Sequence, residues 1–239
     1  MDLKESTILG DAAGRHWYYS SKAAAMCRYL DGFDPSLILD IGAGSGFFTQ
    51  YLLEHTGARA GLCVDTGYAE SAEQEYLGKS LRFQPSCDTV SADLVLLMDV
   101  LEHVEDDVGL LSEYVRKVPV GARFLLTVPA FQWLWSEHDL FLEHYRRYDI
   151  NSLQTVVQKA GLVIERCSYY FGLVLPLACL QRMGKAKQLR TVHTARSHLR
   201  RHHRITNTLL ASICQMELGL LRMNRIGGLS VFCLATKCA

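Results

Sequence analysis

Three groups of residues in this sequence could do chemistry, and the first is a run of alternate glycines. Asp40-x-Gly42-x-Gly44-x-Gly46 directly follows a short apolar segment and precedes a segment with helical spacing. Glycine permits a tight turn and lets a ligand approach the backbone, and the amide groups at the start of a helix attract an anion. The spacing departs from the G-x-G-x-x-G dinucleotide motif, because Phe47 stands where the third glycine would be. A glycine turn also suits any tight strand–helix junction, so the pattern favours a ligand loop without specifying the ligand.

Acidic residues end two further apolar segments. Asp65 follows segment 60–64, and Asp99 follows segment 93–98 and begins the run DVLEHVEDD. An acid at the position of Asp65 can accept both hydroxyls of an adenosine ribose, although a solvated carboxylate at a strand end is the simpler alternative. Because the carboxyl ends of parallel strands meet at one edge of a sheet, we expect the glycine turn and both acids to border one crevice.

Alternating strands and helices are predicted to position these groups. Strands are predicted at 37–41, 60–64, 81–83, 93–98, 123–128, 162–171 and 229–236. Helices are predicted at 47–55, 70–77, 107–117, 151–160 and 205–223. Asn151 is the expected N-cap of the fourth helix, and Gly161 its C-terminal stop. The strands are continuously apolar rather than alternating, which is typical of a parallel sheet with helices on both faces.

The composition is that of a globular protein. The chain has 239 residues, of which 49% are hydrophobic and 21% charged, which suits one domain and excludes a disordered chain. No apolar run reaches the ~18 residues of a membrane span, and the N-terminal sequence lacks a signal-peptide core. We therefore expect a cytoplasmic protein. Eight cysteines are scattered without a CxxC pair, so we expect reduced thiols rather than disulfides or a zinc site.

Charge is distributed unevenly along the chain. Residues 1–165 carry 13 Lys and Arg against 24 Asp and Glu, whereas residues 166–239 carry 12 against one acid, Glu217. The basic part includes histidines at 193, 198, 202 and 203, but they lack cysteine partners at zinc-ligand spacing, so no metal site is predicted. The asymmetry indicates either an anionic partner or a solvated helical face that covers the acidic part of the chain.

The motifs ILDIGAGSGFFT, CVDTG and MDVLEHVEDD together resemble class I S-adenosylmethionine-dependent methyltransferases. The sequence is most similar to a bacterial family, of methyltransferase type 11/12, that carries LEHV after strand four and VPA…LWS.HD…H.RRY after strand five. These stretches lie at 101–104, 128–130, 134–139 and 144–148. His16-Trp17-Tyr18 followed by Lys22 resembles the entry helix of that family, and the similarity runs from about residue 15 to Lys237.

This resemblance implies an α/β fold with a Rossmann-like, doubly wound, mainly parallel sheet of seven strands and a helical cover insertion. We expect a single domain over 1–239. Its expected parts are N-terminal lid helices at 1–35, a core at 36–171, a basic helical cover insertion at 172–228 and a last strand at 229–239.

The resemblance also implies a site for S-adenosylmethionine, with S-adenosylhomocysteine as the product. Asp40 would anchor the amino group of the cofactor, the glycines would cradle its methionine moiety, and Asp65 would bind its ribose. The residues implied to contact the cofactor are Asp40, Gly42, Gly44, Gly46, Asp65, Thr66, Cys87, Asp88, Asp99 and Leu101. Methyl transfer is an in-line displacement, for which the protein supplies alignment, exclusion of water and, for some acceptors, a base.

Candidate residues for the acceptor follow strands four and five. The candidate bases are His103, His138 and His144, each of which could instead cap a helix, pack or bond the backbone. The candidate acceptor contacts are Trp133, Trp135, Tyr145 and Arg146. The aromatic residues could instead form a small core within their loop. Arg146 and the neighbouring Arg147 could form ion pairs with Asp139 or Glu143.

The expected function is transfer of a methyl group to a small-molecule, glycan or lipid-linked acceptor. Two alternatives stay open: a non-catalytic S-adenosylmethionine-binding protein, and an NAD-binding oxidoreductase, which Phe47 and the lack of a second mononucleotide-binding half disfavour. The basic insertion, with its short apolar run at 173–180, could contact an anionic membrane surface peripherally. Nucleic acid is disfavoured as a partner, because the basic residues lack interleaved aromatic residues.

Overall fold

A computed structural model describes residues 14–30, 32–183 and 203–239, apart from the side chains of 181–183. Within these ranges, the strands are β1 Leu37–Ile41, β2 Ala60–Val64, β3 Ala72–Tyr76, β4 Lys79–Gln84, β5 Leu94–Met98, β6 Arg123–Pro129, β7 Leu162–Tyr170 and β8 Ser230–Lys237. The helices are α1 Trp17–Leu30, α2 Phe47–His55, α3 Asp107–Lys117, α4 Glu137–Phe141, α5 Ile150–Lys159, α6 Leu175–Met183 and α7 Arg204–Glu217. The strands form a single sheet in the order β3-β4-β2-β1-β5-β6-β8-β7.

The central strands of the sheet are parallel. β4, β2, β1, β5 and β6 run in the same direction, and β8 is antiparallel to both β6 and β7. Asp40 of β1 pairs in register with Cys63 of β2 and Leu96 of β5. Because these strands are parallel, the segments that follow them leave the sheet at one edge. This edge therefore collects the glycine turn, Asp65 and Asp99, as predicted.

Helices cover both faces of the sheet. One face packs against α3 and α5 through residues such as Leu111 and Leu153. The other face packs against α1, α2 and α7, through residues such as Met26, Leu52 and Leu210. All five residues of β5 are buried, since this strand has a helical layer on each side. This double burial explains why the central strands are continuously apolar.

One predicted helix is wrong. Residues 70–77, predicted as a helix, contain β3, which pairs antiparallel with β4 and adds an eighth strand to the seven predicted. Leu77 and Gly78 form the turn between the two strands, with φ values of 54° and 76°, as a two-residue type I′ hairpin requires. Glutamate and glutamine favour helices, and β3 is an edge strand without a buried face, so no apolar alternation marks it.

The start of α5 also differs from the prediction. Its N-cap is Asp149 rather than Asn151. Asp149 Oδ1 accepts the Ser152 N–H at 2.7 Å, and Ser152 Oγ accepts the Asp149 N–H at 2.9 Å, which forms a reciprocal capping box. Gly161 follows the helix with φ 88° and is confirmed as its stop.

The expected parts of the domain fall partly outside the described residues. Residues 1–13 of the lid and 184–202 of the insertion lie outside them. Among the described residues, α1 lies in the lid range, and α6 and α7 lie in the insertion range. α7 ends at Glu217, and Leu221–Met223 forms a separate 3₁₀ turn rather than its continuation. None of the described helices is long and apolar enough to cross a membrane.

Candidate active site

The glycine turn joins β1 to α2. Gly42, Gly44 and Gly46 have φ values of 64°, 54° and 70°, in the left-handed region where other residues are strained. A Cβ at Gly42 would lie 2.8 Å from a Val100 methyl carbon, and one at Gly46 would lie 2.9 Å from the Phe83 ring. Gly46 is the N-cap of α2 and has no side chain to bond the first amide groups of the helix. The turn thus excludes side chains and presents backbone donors, as a site for an anionic ligand group requires.

Asp65 reaches from the end of β2 to the glycine turn. Its Oδ2 accepts the Gly44 N–H at 2.9 Å, and its Oδ1 accepts the Gly67 N–H at 2.8 Å. The Tyr68 hydroxyl donates to the Gly44 carbonyl. Ser45 Oγ in the same turn is buried and has no hydrogen-bond partner among the described residues. Buried hydroxyls are normally bonded, so Ser45 indicates a place for a polar group of a ligand.

Asp40 lies beneath the turn. Its side chain is almost fully buried, and its Oδ2 accepts a hydrogen bond from the Thr49 hydroxyl at 2.7 Å. Burial raises the pKa of Asp40 to about 6, even though the bond from Thr49 opposes this shift. The carboxyl group belongs to the interior of the strand–helix junction, and its remaining lone pairs are the ones that a ligand could use.

The other predicted cofactor residues differ in exposure. Thr66 and Asp88, which follow β2 and the neighbouring β4, are exposed. Cys87 is buried in the core on the α3 side, and this burial raises the pKa of its thiol. Leu101, after β5, is fully buried. All four residues follow strands that end at the edge of the glycine turn, but Cys87 and Leu101 mainly contribute to the core.

Asp99 ends β5 with φ 58°, a conformation that is uncommon for a residue other than glycine. Its Oδ1 accepts the Thr127 hydroxyl at 3.0 Å, and its Oδ2 forms an ion pair with the buried ammonium group of Lys22. Lys22 also donates to the Tyr18 hydroxyl at 2.9 Å. Burial alone would raise the pKa of Asp99, but the charge of Lys22 outweighs it and holds this pKa below its ordinary value. Burial alone would lower the pKa of Lys22, but the charge of Asp99 raises it, so both groups are charged.

Lys22 and Tyr18 were not among the predicted site residues. A signal was present, because Tyr19, Lys22, Met26 and Tyr29 recur at helical spacing on the buried face of α1. A lysine on a buried face requires a charged partner. That partner lies 77 residues away along the chain, and no local pattern connects the two.

Asp139 organises the loop at 131–148, which follows β6. It accepts the Ser136 N–H at 2.8 Å, and its two oxygens accept hydrogen bonds from Arg147 at 2.6 and 3.0 Å. His144 Nδ1 lies 3.0 Å from Asp139 Oδ1. Burial alone would raise the pKa of Asp139, but His144 and Arg147 outweigh it and hold this pKa well below its ordinary range. The ionised carboxylate therefore orients His144 with Nδ1 toward Asp139 and Nε2 away from it.

Glu102, His103 and His144 form a cluster beside Asp99. Glu102 and His103 lie on a 3₁₀ turn after β5, and the Tyr145 N–H donates to the Glu102 carbonyl at 2.7 Å, which joins this turn to the 131–148 loop. The rings of His103 and His144 meet edge to face with centroids 4.6 Å apart. Glu102 is buried, and its Oε2 has no hydrogen-bond partner in the described part of the chain. Burial first, and the charge of Asp99 second, raise the pKa of Glu102 well above its ordinary value.

The aromatic acceptor candidates lie on the surface of the 131–148 loop. Trp133 is 65% exposed and Tyr145 is 56% exposed, whereas Trp135 is half-buried. Phe131 stacks against both Trp133 and Tyr169, with ring centroids 5.4 and 4.9 Å apart. These side chains could contact a bound acceptor from outside, but they do not enclose a pocket by themselves.

The remaining candidates, His138 and Arg146, lie outside the Glu102–His103–His144 cluster. His138 lies on α4 and is not part of the cluster that His103 and His144 form. Arg146 forms an ion pair with Asp107 at 3.0 Å, which differs from both acids suggested as alternatives. Arg147 is the residue that pairs with Asp139, so that alternative is confirmed for Arg147.

α1 and α7 are joined beside this site. The Asn207 side chain on α7 accepts the Trp17 N–H at 2.9 Å and donates to the Arg15 carbonyl at 2.8 Å. Phe171, which follows β7, stacks on Tyr18 with ring centroids 5.1 Å apart. The helix that carries Lys22 is therefore held from the insertion side as well as by the sheet.

Comparisons with known proteins agree with this arrangement. Residues 15–166 match the model of a family described as a methyltransferase domain. A chain in the complex between the Haloferax volcanii Trm112 methyltransferase activator and the putative methyltransferase is similar, with a TM-score of 0.58 and 14% identity, over 99% of this chain and 96% of that chain. Haemonchus contortus phosphoethanolamine N-methyltransferase 2, in complex with S-adenosyl-L-methionine, is similar with a TM-score of 0.53 and 16% identity. The match covers 91% of this chain and 52% of that enzyme. The N-methyltransferase NodS from Bradyrhizobium japonicum, in complex with S-adenosyl-L-homocysteine, is similar with a TM-score of 0.51 and 13% identity. The match covers 72% of this chain and 92% of NodS.

No curated protein matches the sequence. At these low identities, the solved structures show a shared fold and not a shared acceptor. The family match is different in kind, because it spans more than half of the chain and includes the glycine turn, Asp65 and Asp99. The chain belongs to the methyltransferase domain family, and its cofactor is S-adenosylmethionine.

Proposed function

We propose that this chain transfers the methyl group of S-adenosylmethionine to a small-molecule, glycan or lipid-linked acceptor. One observation carries the proposal: the glycine turn and the Glu102–His103–His144 cluster are adjacent. Val100 contacts Gly42, and the 3₁₀ turn that follows Val100 carries Glu102 and His103. A cofactor held by the turn and an acceptor held at the cluster would therefore lie next to each other, as in-line transfer requires.

The first step is to hold the cofactor in the crevice at the ends of β1, β2 and β5. In the proposal, the amide groups at the start of α2 bind the cofactor's carboxylate, and Asp40 attracts its amino group. Each oxygen of Asp65 accepts one backbone hydrogen bond and keeps a lone pair for a ribose hydroxyl. Thr66 and Asp88 follow the neighbouring strands β2 and β4, and these two residues, with Cys87, would bind the adenine.

The second step is to align the acceptor. When bound, the cofactor supplies a methyl group on a positively charged sulfur, so the protein need not activate it. His103 and His144 lie on the acceptor side and position the acceptor's nucleophilic atom so that a lone pair points toward the methyl group. The Lys22–Asp99 ion pair lies at the end of β5 without leaving an unpaired charge, and Tyr18 excludes water from the α1 side.

Exposed apolar side chains favour a lipid-linked acceptor over a soluble one. Nine large apolar side chains after β7 are exposed: Leu173, Leu177, Leu180, Ile205, Leu209, Met216, Leu220, Met223 and Ile226. The same part of the chain, 166–239, carries 12 basic residues and one acid. Exposed apolar side chains in a basic part of the chain suit the surface of an anionic membrane, where basic residues are attracted to lipid headgroups. In this proposal the chain is a cytoplasmic protein that contacts the membrane peripherally.

The test separates an enzyme from a protein that only binds the cofactor. The chain would be incubated with S-adenosylmethionine labelled in its methyl group and with three acceptors: a polyprenyl-phosphate-linked glycan, the same glycan without lipid, and phosphoethanolamine. Label transferred to the lipid-linked glycan supports the proposal, and transfer to the free glycan alone would make the lipid irrelevant. Tight cofactor binding by calorimetry without formation of S-adenosylhomocysteine with any acceptor would favour the binding protein.

A further inference from the structure

We propose that Glu102, His103 and His144 bind a divalent transition-metal ion at the acceptor side of the active site. The cluster was not predicted as a metal site, because the three residues have no ligand spacing in the sequence. The binding itself does not depend on methyl transfer; only the role of the ion rests on the proposed function.

The ligand atoms are close enough to share one ion. One ligand atom from each of Glu102, His103 and His144 lies within 4.8 Å of the other two. Metal–ligand distances of about 2.0–2.2 Å place neighbouring ligands roughly 3.0–3.5 Å apart, so the cluster would contract by about 1–2 Å. The two histidine rings are already in contact, with centroids 4.6 Å apart, and side-chain rotation can supply a movement of this size.

His144 has the environment of a metal ligand. Its Nδ1 is bonded to Asp139 at 3.0 Å, which leaves Nε2 for a cation. Metal-bound histidines usually bond a carboxylate or carbonyl through the other ring nitrogen, and this bond fixes the tautomer and the orientation of the ring. Asp139 is itself held by Arg147 and Ser136, so the orientation of His144 is set before any ion binds.

Glu102 needs a partner that the described residues do not supply. Its Oε2 is buried without a hydrogen bond, an arrangement that costs free energy for any polar oxygen. The two basic residues that act on its charge are Lys22 and Arg147, and each is already paired, with Asp99 and Asp139 respectively. A bound cation would satisfy Oε2 and balance the charge of the Glu102 carboxylate.

The donor set indicates the class of metal. Two imidazole nitrogens and one carboxylate oxygen suit manganese, iron, cobalt or zinc, whereas magnesium and calcium prefer oxygen ligands throughout. Three protein ligands leave coordination positions open. In those positions the ion would bind a hydroxyl group of the acceptor and lower the pKa of this hydroxyl. The hydroxyl would then lose its proton to solvent more readily, and its oxygen would attack the methyl group.

The experiment measures metal binding without any acceptor. Chelator-treated protein would be titrated with Co²⁺ and with Zn²⁺, with visible absorption of bound Co²⁺ and calorimetry as readouts. We expect one equivalent to bind to the active-site cluster, and Glu102→Gln, His103→Asn and His144→Asn each to weaken this binding by at least about 10–100-fold. His55→Asn, at the exposed end of α2, is the matched control and should bind as the wild type does.

Two further measurements keep the result interpretable. The His198→Asn/His202→Asn variant separates metal binding at the cluster from metal binding by the histidine-rich stretch. This variant should still bind one equivalent of metal ion at the cluster. Calorimetry with S-adenosylhomocysteine identifies variants that are folded. The proposal is overturned if folded Glu102→Gln and His144→Asn bind Co²⁺ as the wild type does, or if the wild type binds no ion. Failure of methyl transfer with intact metal binding would instead count against the proposed function alone.

Discussion

The fully buried ammonium group of Lys22, on the first helix, forms an ion pair with Asp99 at the end of β5, across 77 residues of sequence. The pair links α1 to the strand end beside the glycine turn. Lys22 has no exposed surface, and it bonds Tyr18 as well as Asp99. The helix α1 therefore contributes a buried charge to the candidate site at this strand end.

Removing one partner of this pair should be strongly destabilising. Lys22→Met leaves the partly buried Asp99 carboxylate, whose side chain is 27% exposed, without its cation, and we expect the free energy of unfolding to fall by up to about 3–5 kcal/mol. Urea denaturation followed by circular dichroism measures this change. Lys117→Met is the matched control, because Lys117 forms an exposed helical pair with Glu113 whose loss costs about 0.3–0.5 kcal/mol. Equal losses in the two variants would contradict a structural role for the buried pair.

Asp65 should determine cofactor affinity. We expect Asp65→Ala to weaken binding of S-adenosylhomocysteine by about 1.5–3 kcal/mol, because the ribose hydroxyls lose a charged acceptor. Calorimetry on folded protein measures the change. Glu70→Ala removes an exposed acid from the segment after Asp65 and should leave the affinity unchanged. An Asp65 variant that is folded and binds normally would remove this residue from the site.

Asp40 should make cofactor binding pH-dependent. In the free protein, burial raises the pKa of Asp40 to about 6. The amino group of the cofactor favours the ionised carboxylate and lowers this pKa, so binding below pH 6 releases a proton. We expect a constant affinity for S-adenosylhomocysteine above about pH 7, and a decline of at most about tenfold per pH unit below pH 6. Asp40→Asn should bind more weakly at pH 8 and lose this dependence.

As the pH falls, the contribution of Asp40 to the stability of the free protein should increase, whereas cofactor affinity decreases. The folded pKa of Asp40 is about 6, above its ordinary value of 3.8, so the folded state binds more protons between these values. The contribution of Asp40 to the free energy of unfolding therefore rises as the pH falls from about 6 towards 4. The difference between wild type and Asp40→Asn in urea titrations isolates this contribution. If both proteins show the same pH profile, the titrating group is another residue.

Residues of the acceptor side should affect transfer and not cofactor binding. We expect His144→Ala and Arg146→Ala to lower methyl transfer while the affinity for S-adenosylhomocysteine stays within about 0.5 kcal/mol. His144 would lose a contact with the acceptor, and Arg146 would no longer fix the 131–148 loop to Asp107. Transfer is measured with the acceptor identified in the labelling experiment, and His55→Ala is the control. A cofactor affinity that falls as much as the transfer rate would place these residues at the cofactor instead.

The exposed apolar side chains should bind anionic membranes. Ile205, Leu209 and Met216 lie on one face of α7, at spacings of four and seven residues. We expect their combined replacement by serine to abolish co-sedimentation with phosphatidylglycerol vesicles. Each side chain that no longer enters the membrane loses about 1.5–3 kcal/mol, and the three together lose more than about 1,000-fold in affinity. Leu77→Ser and Val120→Ser remove exposed apolar side chains outside this part of the chain and are matched controls. Equal binding to neutral phosphatidylcholine vesicles would contradict the role of charge.

The sequence by itself determined the features that depend on neighbouring residues. β1 and β2 have the predicted bounds, and α3 does as well, because continuous apolar runs and helical spacing are local signals. The glycine turn was recognisable because positive φ values and close packing against Val100 and Phe83 both require glycine. Asp65 and Asp99 were found because they end apolar runs. β3 was missed because an exposed edge strand carries no such signal.

Only the tertiary structure decided which of these residues meet. Lys22 pairs with Asp99, and His144 meets Glu102 and His103, across long stretches of sequence. Such pairs depend on the order of strands in the sheet and on the path of the 131–148 loop, which Asp139 fixes through its own buried contacts. A lysine on the apolar face of a helix, such as Lys22, indicates in the sequence that a charged partner is required. The partner is specified only when parallel strands bring distant segments to the same edge, because burial makes their pairing energetically necessary.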